Sequence, residues 1–190
     1  MRINSESKVL MIFLALSSSS MERPFEIRDL CRDDIAGIVA TAGGAAWNGG
    51  FEKWNSRYAE HQAGQRITLL AMDHGIFVGY GSLLWLSGYA PFRDQKIPEI
   101  QDLVVSESRR TQGIATALML ALEERVQDRE LKRVGLGVGL YADYGQAQRL
   151  YIKRGYIPDG RGLTFKYEPA KGGLSFRLDD DLLLWLVKQL

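Results

Sequence analysis

Residues 110–116, Arg-Thr-Gln-Gly-Ile-Ala-Thr, combine a positive charge, a glycine and a hydroxyl group in the manner of a phosphate-binding turn. An apolar run at 100–105 precedes them, and apolar residues at helical spacing follow. This pattern predicts a strand, a short turn and a helix that begins at about Thr111 or Gln112. The unpaired N–H groups at a helix start attract anions, and Gly113 lets a ligand pass close to the backbone. The stretch therefore suits a pyrophosphate.

With the strand before it and the helix after it, this stretch resembles the acetyl-CoA signature of the GNAT superfamily of N-acetyltransferases, Gln/Arg-x-x-Gly-x-Gly/Ala. Residues 147–156, Ala-Gln-Arg-Leu-Tyr-Ile-Lys-Arg-Gly-Tyr, resemble the second pattern of that family, Ala-x-x-Leu-Tyr-x-Lys-x-Gly-Phe, with Tyr156 in place of the phenylalanine. The two segments follow the order of the family, and the resemblance extends over about residues 25–167. One position departs from it, because the family often has Asn where this chain has Tyr144.

The resemblance implies acetyl-CoA as the cosubstrate, without a metal ion. In the family, the fourth and fifth strands separate where the pantetheine arm enters, and the arm pairs with the backbone of the fourth strand. The residues implied to bind the cofactor are Leu103, Val104, Val105, Arg110, Thr111, Gln112, Gly113, Ile114, Ala115 and Thr116.

The reaction of such an enzyme is the direct attack of an amine on a thioester in a ternary complex. A lysine-like amine with a pKa of about 10.4 is mostly protonated at pH 7, and removing its proton costs roughly 4.6 kcal/mol. A carboxylate can take that proton directly or through water. The resemblance places Glu99 at this step, while Asp102, on the opposite face by strand alternation, and water remain alternatives. Tyr151 is implied as the proton donor to the CoA thiolate.

The acceptor amine is not identified by the sequence. Aromatic residues of the first helices and of the segment 87–96 could line its pocket, or they could belong to the core; they are Trp47, Trp54, Tyr89 and Phe92. We expect a small-molecule amine first and an amine of a protein or peptide second. The alternative from another class is a non-catalytic acyl-CoA-binding regulatory module on the same fold.

Residues 137–142 offer a competing motif, because Gly-Val-Gly-Leu-Tyr-Ala fits the dinucleotide fingerprint G-x-G-x-x-A, with Asp159 at a suitable distance for a ribose contact. That fingerprint normally opens a series of parallel strands, and too little chain follows it here. We interpret these glycines as positions in a strand that another group approaches closely.

The hydrophobic periodicity predicts an α/β fold in which strands and helices alternate. Extended segments are predicted at 25–30, 66–72, 76–85, 98–105, 133–140, 156–158, 163–167 and 182–188. Helices are predicted from Asp33, at 51–62, from about Thr111 or Gln112 and at 143–154, whereas 87–96 is predicted to be a loop. The resemblance implies a mixed, mostly antiparallel sheet of six to seven strands, flanked by helices and splayed between strands 4 and 5.

The bulk properties agree with one globular domain. The chain has 190 residues, a net charge of +1 and one cysteine, so neither a nucleic-acid partner nor an intrachain disulfide is expected. The two histidines, His61 and His74, have no zinc spacing, and no apolar run reaches the length of a membrane span. We expect residues 1–24 to be a disordered or non-native extension, with a weak signal peptide as the alternative, and 25–190 to form a single cytoplasmic N-acetyltransferase domain. A homodimer is left open.

Overall fold

Strands and helices alternate through the residues that this computed structural model describes, 25–41 and 50–190. In chain order the elements are β1 (Glu26–Asp29), α1 (Asp34–Thr41), α2 (Gly50–Gln62), β2 (Arg66–Asp73), β3 (Ile76–Leu84), α3 (Ala90–Asp94), β4 (Glu99–Val105), α4 (Ile114–Gln127), β5 (Arg133–Gly139), α5 (Gly145–Lys153), β6 (Ile157–Phe165), β7 (Glu168–Pro169) and β8 (Leu182–Gln189). Short 3₁₀ turns precede α4 and α5, at Glu107–Arg109 and Ala142–Tyr144. The expectation for residues 1–24, and the expectation for Trp47, lie outside the described residues.

The strands form one mixed sheet in the order β1-β2-β3-β4-β5-β8-β6-β7, so the described sheet has eight strands, not six to seven. The extra strand is β7, which pairs with β6 through only two residue pairs across the turn at Lys166 and Tyr167. The predicted segments 156–158 and 163–167 belong to one strand, β6, whose pairing with β8 is interrupted between Pro158 and Leu163. A break of this kind leaves a gap in the apolar pattern, which is why the sequence indicates two segments there.

The central seam of the sheet is the parallel pair β4–β5, and it is short. Only Glu99–Gly135 and Ile100–Leu136 are paired, whereas the antiparallel neighbours β5 and β8 share seven residue pairs. The two strands therefore part after Ile100, and the expected splay between strands 4 and 5 is confirmed.

The two faces of the sheet have separate cores. Helices α4 and α5 pack on one face, where buried Leu118 and Leu122 meet Ile100, Leu136 and Tyr151. Helices α1 and α2 pack on the other face of the first four strands, around the fully buried Trp54. None of the described helices has the length and apolarity that crossing a membrane requires.

Three glycines of β5 alternate on the face opposite α4, and side chains fill the space beside them. A Cβ atom on Gly135 would lie 2.1 Å from the ring of Phe92, and one on Gly139 would lie 2.4 Å from Tyr144. A Cβ on Gly137 would approach Leu183 and Trp185 at 3.0 and 3.3 Å. The apparent dinucleotide fingerprint is therefore accounted for by close packing.

Candidate active site

The segment 110–116 follows β4 and the short 3₁₀ turn, and it includes the start of α4, the longest helix that the structure describes. The helix starts at Ile114 with Gly113 as its N-cap, two to three residues later than predicted, because Thr111 and Gly113 both have left-handed backbones with φ of 63° and 85°. The first intrahelical bond runs from the N–H of Ala117 to Gly113 O, at 2.9 Å. The N–H groups of residues 114–116 lie ahead of that bond and remain available to an anion.

The side chains of this turn fold back on the turn itself. Arg110 donates from Nε to Val105 O at 3.4 Å, and Thr111 donates its hydroxyl to Arg110 O at 2.7 Å. At the base of the turn, Nη2 of Arg109 lies 2.5 Å from the buried carboxylate of Asp73, at the end of β2. A Cβ on Gly113 would meet nothing within 4 Å. The turn is thus held to the end of β2 through Arg109, and the space beside Gly113 is open.

The backbone N–H and C=O groups of successive β4 residues point alternately toward β3 and toward the side on which β5 has separated from β4. Ser106 N donates to Val78 O, and the two-residue repeat of an antiparallel ladder then turns the backbone of Val104 toward β3 as well. The same repeat turns the N–H and C=O groups of Leu103 and Val105 toward the gap left by β5. Those groups have no partner strand there, because the pairing of β4 with β5 ends at Ile100.

A β-bulge at Asp102 changes which residues of β4 share a face. Asp102 has a left-handed backbone with φ of 54°, and the register against β3 shifts between Tyr80 and Ser82. Asp102 reaches the face covered by α2, where its Oδ2 lies 2.8 Å from Nη1 of Arg57. The expectation that Asp102 points to the face opposite Glu99 is therefore wrong, because the bulge inserts one residue into the alternation.

Glu99 is a buried carboxylate, with 3% of its surface exposed. The hydroxyl of Ser87 donates to Oε2 at 2.5 Å, and Nε2 of Gln101 donates to Oε1 at 2.7 Å. Burial raises the pKa of Glu99, while the hydrogen bonds from Ser87 and Gln101 oppose that rise. A carboxyl group in these surroundings holds a proton more firmly than one in water, as a general base for an amine must.

The turn between β6 and β7 lies beside the polar cluster of Glu99, Ser87 and Gln101. Lys166 and Tyr167 occupy the two turn positions with φ of 52° and 69°, a conformation that favours glycine or asparagine. The Tyr167 ring lies over Gly88, 3.2 Å from where a Cβ would stand. Burial raises the pKa of Tyr167, and the charge of Glu99 raises it further, while a side-chain hydrogen bond with Gln101 lowers it.

Tyr151 lies on the other face of the sheet, within the core formed by α4 and α5. It is 7% exposed, and burial raises its pKa to about 12. Its hydroxyl has no hydrogen-bond partner within the described part of the chain. Glu99 and Tyr151 therefore lie on opposite faces of the sheet.

The aromatic residues expected near an acceptor belong mainly to the core. Trp54, Tyr89 and Phe92 are at most 3% exposed. Phe92 and the unpredicted helix α3 fill the groove beside Gly135, and Tyr89 stacks on Trp185 at 4.2 Å between centroids. These three side chains do not form an open pocket.

Tyr144, at the position where the family often has Asn, has a packing role here. Its ring covers Gly139, and its hydroxyl donates to Oδ1 of Asp180 at 2.9 Å. Burial raises the pKa of Tyr144, as does the adjoining carboxylate of Asp180.

Several residues of the site were not indicated by the sequence. Ser87, Gln101, Arg57 and Tyr167 reach Glu99 or Asp102 from four different segments. Only the tyrosine in a tight turn offered a local signal, because bulky residues are rare there. Residues 25–41 and 50–190 contain no group of three or more His, Cys, Asp or Glu side chains that could hold a metal ion.

The sequence of residues 38–156 matches the family model described as the acetyltransferase (GNAT) family, which spans well over half of the chain. No curated protein sequence matches the chain. The fold is similar to that of a ribosomal-protein-alanine N-acetyltransferase from Brucella melitensis, with 22% identity, a TM-score of 0.65, and coverage of 87% of this chain and 99% of that one.

Two further solved structures have the same fold. A chimeric spermidine N-acetyltransferase from Vibrio cholerae has 16% identity and a TM-score of 0.63, over 87% of this chain and 95% of its own. A protein of Salmonella typhimurium solved with acetyl-CoA has 18% identity and a TM-score of 0.62, over 87% and 93%. Because these identities are low, the likeness describes the fold and does not transfer a substrate.

Proposed function

The chain belongs to the acetyltransferase (GNAT) family, and from this premise we propose that it transfers the acetyl group of acetyl-CoA to a primary amine of a small molecule. The observation that carries the proposal is the buried carboxylate of Glu99, held by Ser87 and Gln101 at the point where β4 and β5 part. A base placed there can reach an amine on the α2 face while a thioester occupies the splay.

The residues of the cofactor region fit a CoA thioester. The N–H groups of residues 114–116, the space above Gly113 and the charge of Arg110 suit a pyrophosphate. The backbone groups of Leu103 and Val105 face the side of β4 on which β5 no longer pairs, and they suit the amide groups of a pantetheine arm. Two structural relatives carry CoA or acetyl-CoA, one from Thermoplasma acidophilum and the one from Salmonella typhimurium, which supports this assignment.

Acetyl-CoA supplies an activated carbonyl when it is bound. Glu99 then accepts the proton that the acceptor amine loses as its nitrogen forms the new C–N bond. Tyr151, whose pKa burial raises to about 12, stays protonated at neutral pH and can donate its proton to the departing sulfur as the C–S bond breaks. The two residues would serve opposite ends of the reaction, and they lie on opposite faces of the sheet.

The test is thiol release from acetyl-CoA with a panel of small primary amines, together with short peptides that have a free N-terminus. Amine-dependent release well above hydrolysis supports the proposal, and release with peptides alone would replace the small molecule by a peptide amine. Acetyl-CoA binding without release above hydrolysis for any amine would instead make the chain an acyl-CoA-binding regulatory module.

We place the activity in the cytoplasm, because the single cysteine permits no intrachain disulfide.

A further inference from the structure

The segment 107–113, which leads from β4 into α4, contains a strained backbone position. Thr111 has a φ of 63°, in the left-handed region that a β-branched residue rarely adopts. Such a conformation persists only where the surrounding structure enforces it, and it is concentrated at sites that bind ligands. The contacts that hold this segment in place therefore bear on the proposed cofactor site.

Most polar contacts of segment 107–113 are local. Thr111 donates its hydroxyl to Arg110 O at 2.7 Å, and Gln112 donates from Nε2 to Ser108 O at 3.4 Å. The N–H groups of residues 111–113 have no backbone acceptor among the described residues. Contacts between residues so close in sequence move with the segment, so they do not fix its position against the rest of the fold.

Arg109 makes the one polar contact, within the described chain, between segment 107–113 and a distant part of the sequence. Its Nη2 lies 2.5 Å from Oδ2 of Asp73, at the end of β2. The Asp73 side chain is 7% exposed, and its only other cationic neighbour within 4 Å among the described residues is the exposed His74, at 3.8 Å. A buried carboxylate needs a counter-charge, so Asp73 holds Arg109 and with it the segment.

The ion pair can be distinguished from a simple electrostatic effect by the sign of its influence on anion binding. Asp73 places a negative charge beside Arg109, one residue before the proposed pyrophosphate site. By electrostatics alone, removing that charge would strengthen the binding of an anion. If the ion pair instead holds the segment in its binding conformation, removing it would weaken binding, because a smaller fraction of the protein would be competent to bind.

We propose that Asp73 and Arg109 are positioning residues for the cofactor, because their ion pair holds segment 107–113 in the conformation that receives the pyrophosphate; this rests on the proposed acetyl-CoA site. Neither side chain has to touch the cofactor for this effect. A segment that is already in its bound conformation loses less freedom when the ligand arrives, so the affinity is higher.

The experiment compares two ligands. Calorimetry measures the affinity for acetyl-CoA, and an NMR titration measures that for S-acetylpantetheine, which has the thioester and the pantetheine arm but lacks the pyrophosphate. The variants are Asp73→Asn, Arg109→Met and the double variant. Asp29→Asn is the matched control, because Asp29 forms an ion pair at 3.0 Å with Arg125, near the other end of α4. The Tm without ligand is measured for every variant.

Asp73→Asn is expected to weaken the binding of acetyl-CoA by about fivefold or more, as for a typical coupling between separate sites, and to leave the binding of S-acetylpantetheine unchanged. Arg109→Met should have a similar effect, and the double variant should add nothing further, because both changes break one contact. Arg109→Met should lower the Tm more than Asp73→Asn, because it leaves a buried carboxylate unpaired. Asp29→Asn should bind both ligands as the wild type does.

Unchanged or tighter binding of acetyl-CoA in a folded Asp73→Asn protein would overturn the inference and leave the proposed acetyl transfer intact. A loss confined to Arg109→Met would overturn it as well, because Arg109 would then contact a phosphate directly. Equal weakening of acetyl-CoA and S-acetylpantetheine would mean a general distortion and would also overturn it. Because no turnover is required, an affinity that depends on Asp73 without any acetyl transfer would keep the inference and refute the enzyme.

Discussion

Glu99 is enclosed by donors that keep it charged and by apolar surroundings that oppose the charge, and the pH dependence of the reaction should report this balance. Glu99→Gln is expected to lower kcat/KM most at low pH and progressively less as the pH approaches the pKa of the amine, where the base is no longer needed. The measurement is a pH–rate profile of both proteins with one acceptor. A parallel loss at every pH would assign Glu99 to binding or structure.

Asp102→Asn is the matched control, because asparagine tolerates the left-handed backbone that Asp102 adopts. Removing this carboxylate removes a charge that raises the pKa of Glu99. In Asp102→Asn, the acid limb of the pH–rate profile should therefore remain but move to lower pH. If the acid limb disappeared instead, Asp102 would be the base.

The hydroxyl of Tyr151 can be tested without disturbing its ring. Tyr151→Phe should lower kcat by a general-acid factor of about 10²–10⁴ and leave both the acetyl-CoA affinity and the Tm nearly unchanged, since the hydroxyl has no partner among the described residues. Tyr156→Phe is the control, because the Tyr156 hydroxyl donates to buried Glu123 at 3.0 Å. That variant should lose about 1–3 kcal/mol of stability with kcat unchanged. Full turnover in Tyr151→Phe would remove Tyr151 from the mechanism.

At the residue scale, the sequence predicted site residues from their places in strands and motifs, but not the side chains that folding brings next to them. The candidate Tyr151 came from its place in the second motif, and Glu99 came from its place early in the fourth strand. Ser87 and Tyr167 were missed because they come from loops 12 and 68 residues away from Glu99 along the chain, and only the folded sheet brings them to it. The environment that sets the pKa of Glu99 could therefore not be predicted.

Among the elements, the turn that begins α4 carries the cofactor assignment. Gly113→Val should abolish acetyl-CoA binding measured by calorimetry, because a branched side chain would occupy the open space above the helix N-terminus. Its left-handed φ of 85° adds about 1–3 kcal/mol of strain. Gly173→Val shares both features, with φ of 83° and nothing within 4 Å of an added Cβ, but lies in the loop between β7 and β8. Unchanged affinity in a folded Gly113→Val protein would show that the assignment is wrong.

The elements themselves were largely predictable from periodicity, and the errors have physical causes. Helix α4 begins later than predicted because Thr111 adopts a left-handed backbone that a threonine seldom takes. Helix α3 was predicted as loop because its five residues are too few for a periodic pattern. The bulge at Asp102 has no glycine to signal it, and it reversed the predicted face of that residue.

On the scale of the whole molecule, acetyl-CoA bound where β4 and β5 part should raise the thermal stability of the native fold. Acetyl-CoA at about 100 times its Kd should stabilise the native state by about 2.7 kcal/mol, which for a chain of this size raises the Tm by roughly 5–10 °C. Thermal unfolding with and without acetyl-CoA measures this, and Gly113→Val should show no rise. A wild-type Tm that stays constant under saturation would mean that the ligand does not bind the native fold.

The overall architecture was predictable because two motifs in the right order imply a known arrangement of strands. The number of strands was not, since β7 has only two residues and its pairing depends on the turn at Lys166 and Tyr167. The alternating glycines of β5 show the opposite case. Their pattern was visible in the sequence, but two of the rings that require it, those of Phe92 and Trp185, come from distant segments, whereas Tyr144 follows Gly139 closely.

The bulge at Asp102 also has a consequence for how this gene can change. The bulge places one extra residue in β4, so an in-frame deletion of the Asp102 codon would restore an unbroken repeat of two and leave Glu99 on the α2 face and Ile100, Leu103 and Val105 on the α4 face. The deletion would still remove the carboxylate that Arg57 and Arg66 share. Loss of this one codon therefore needs no compensating codon elsewhere in β4, and it can be inherited by itself.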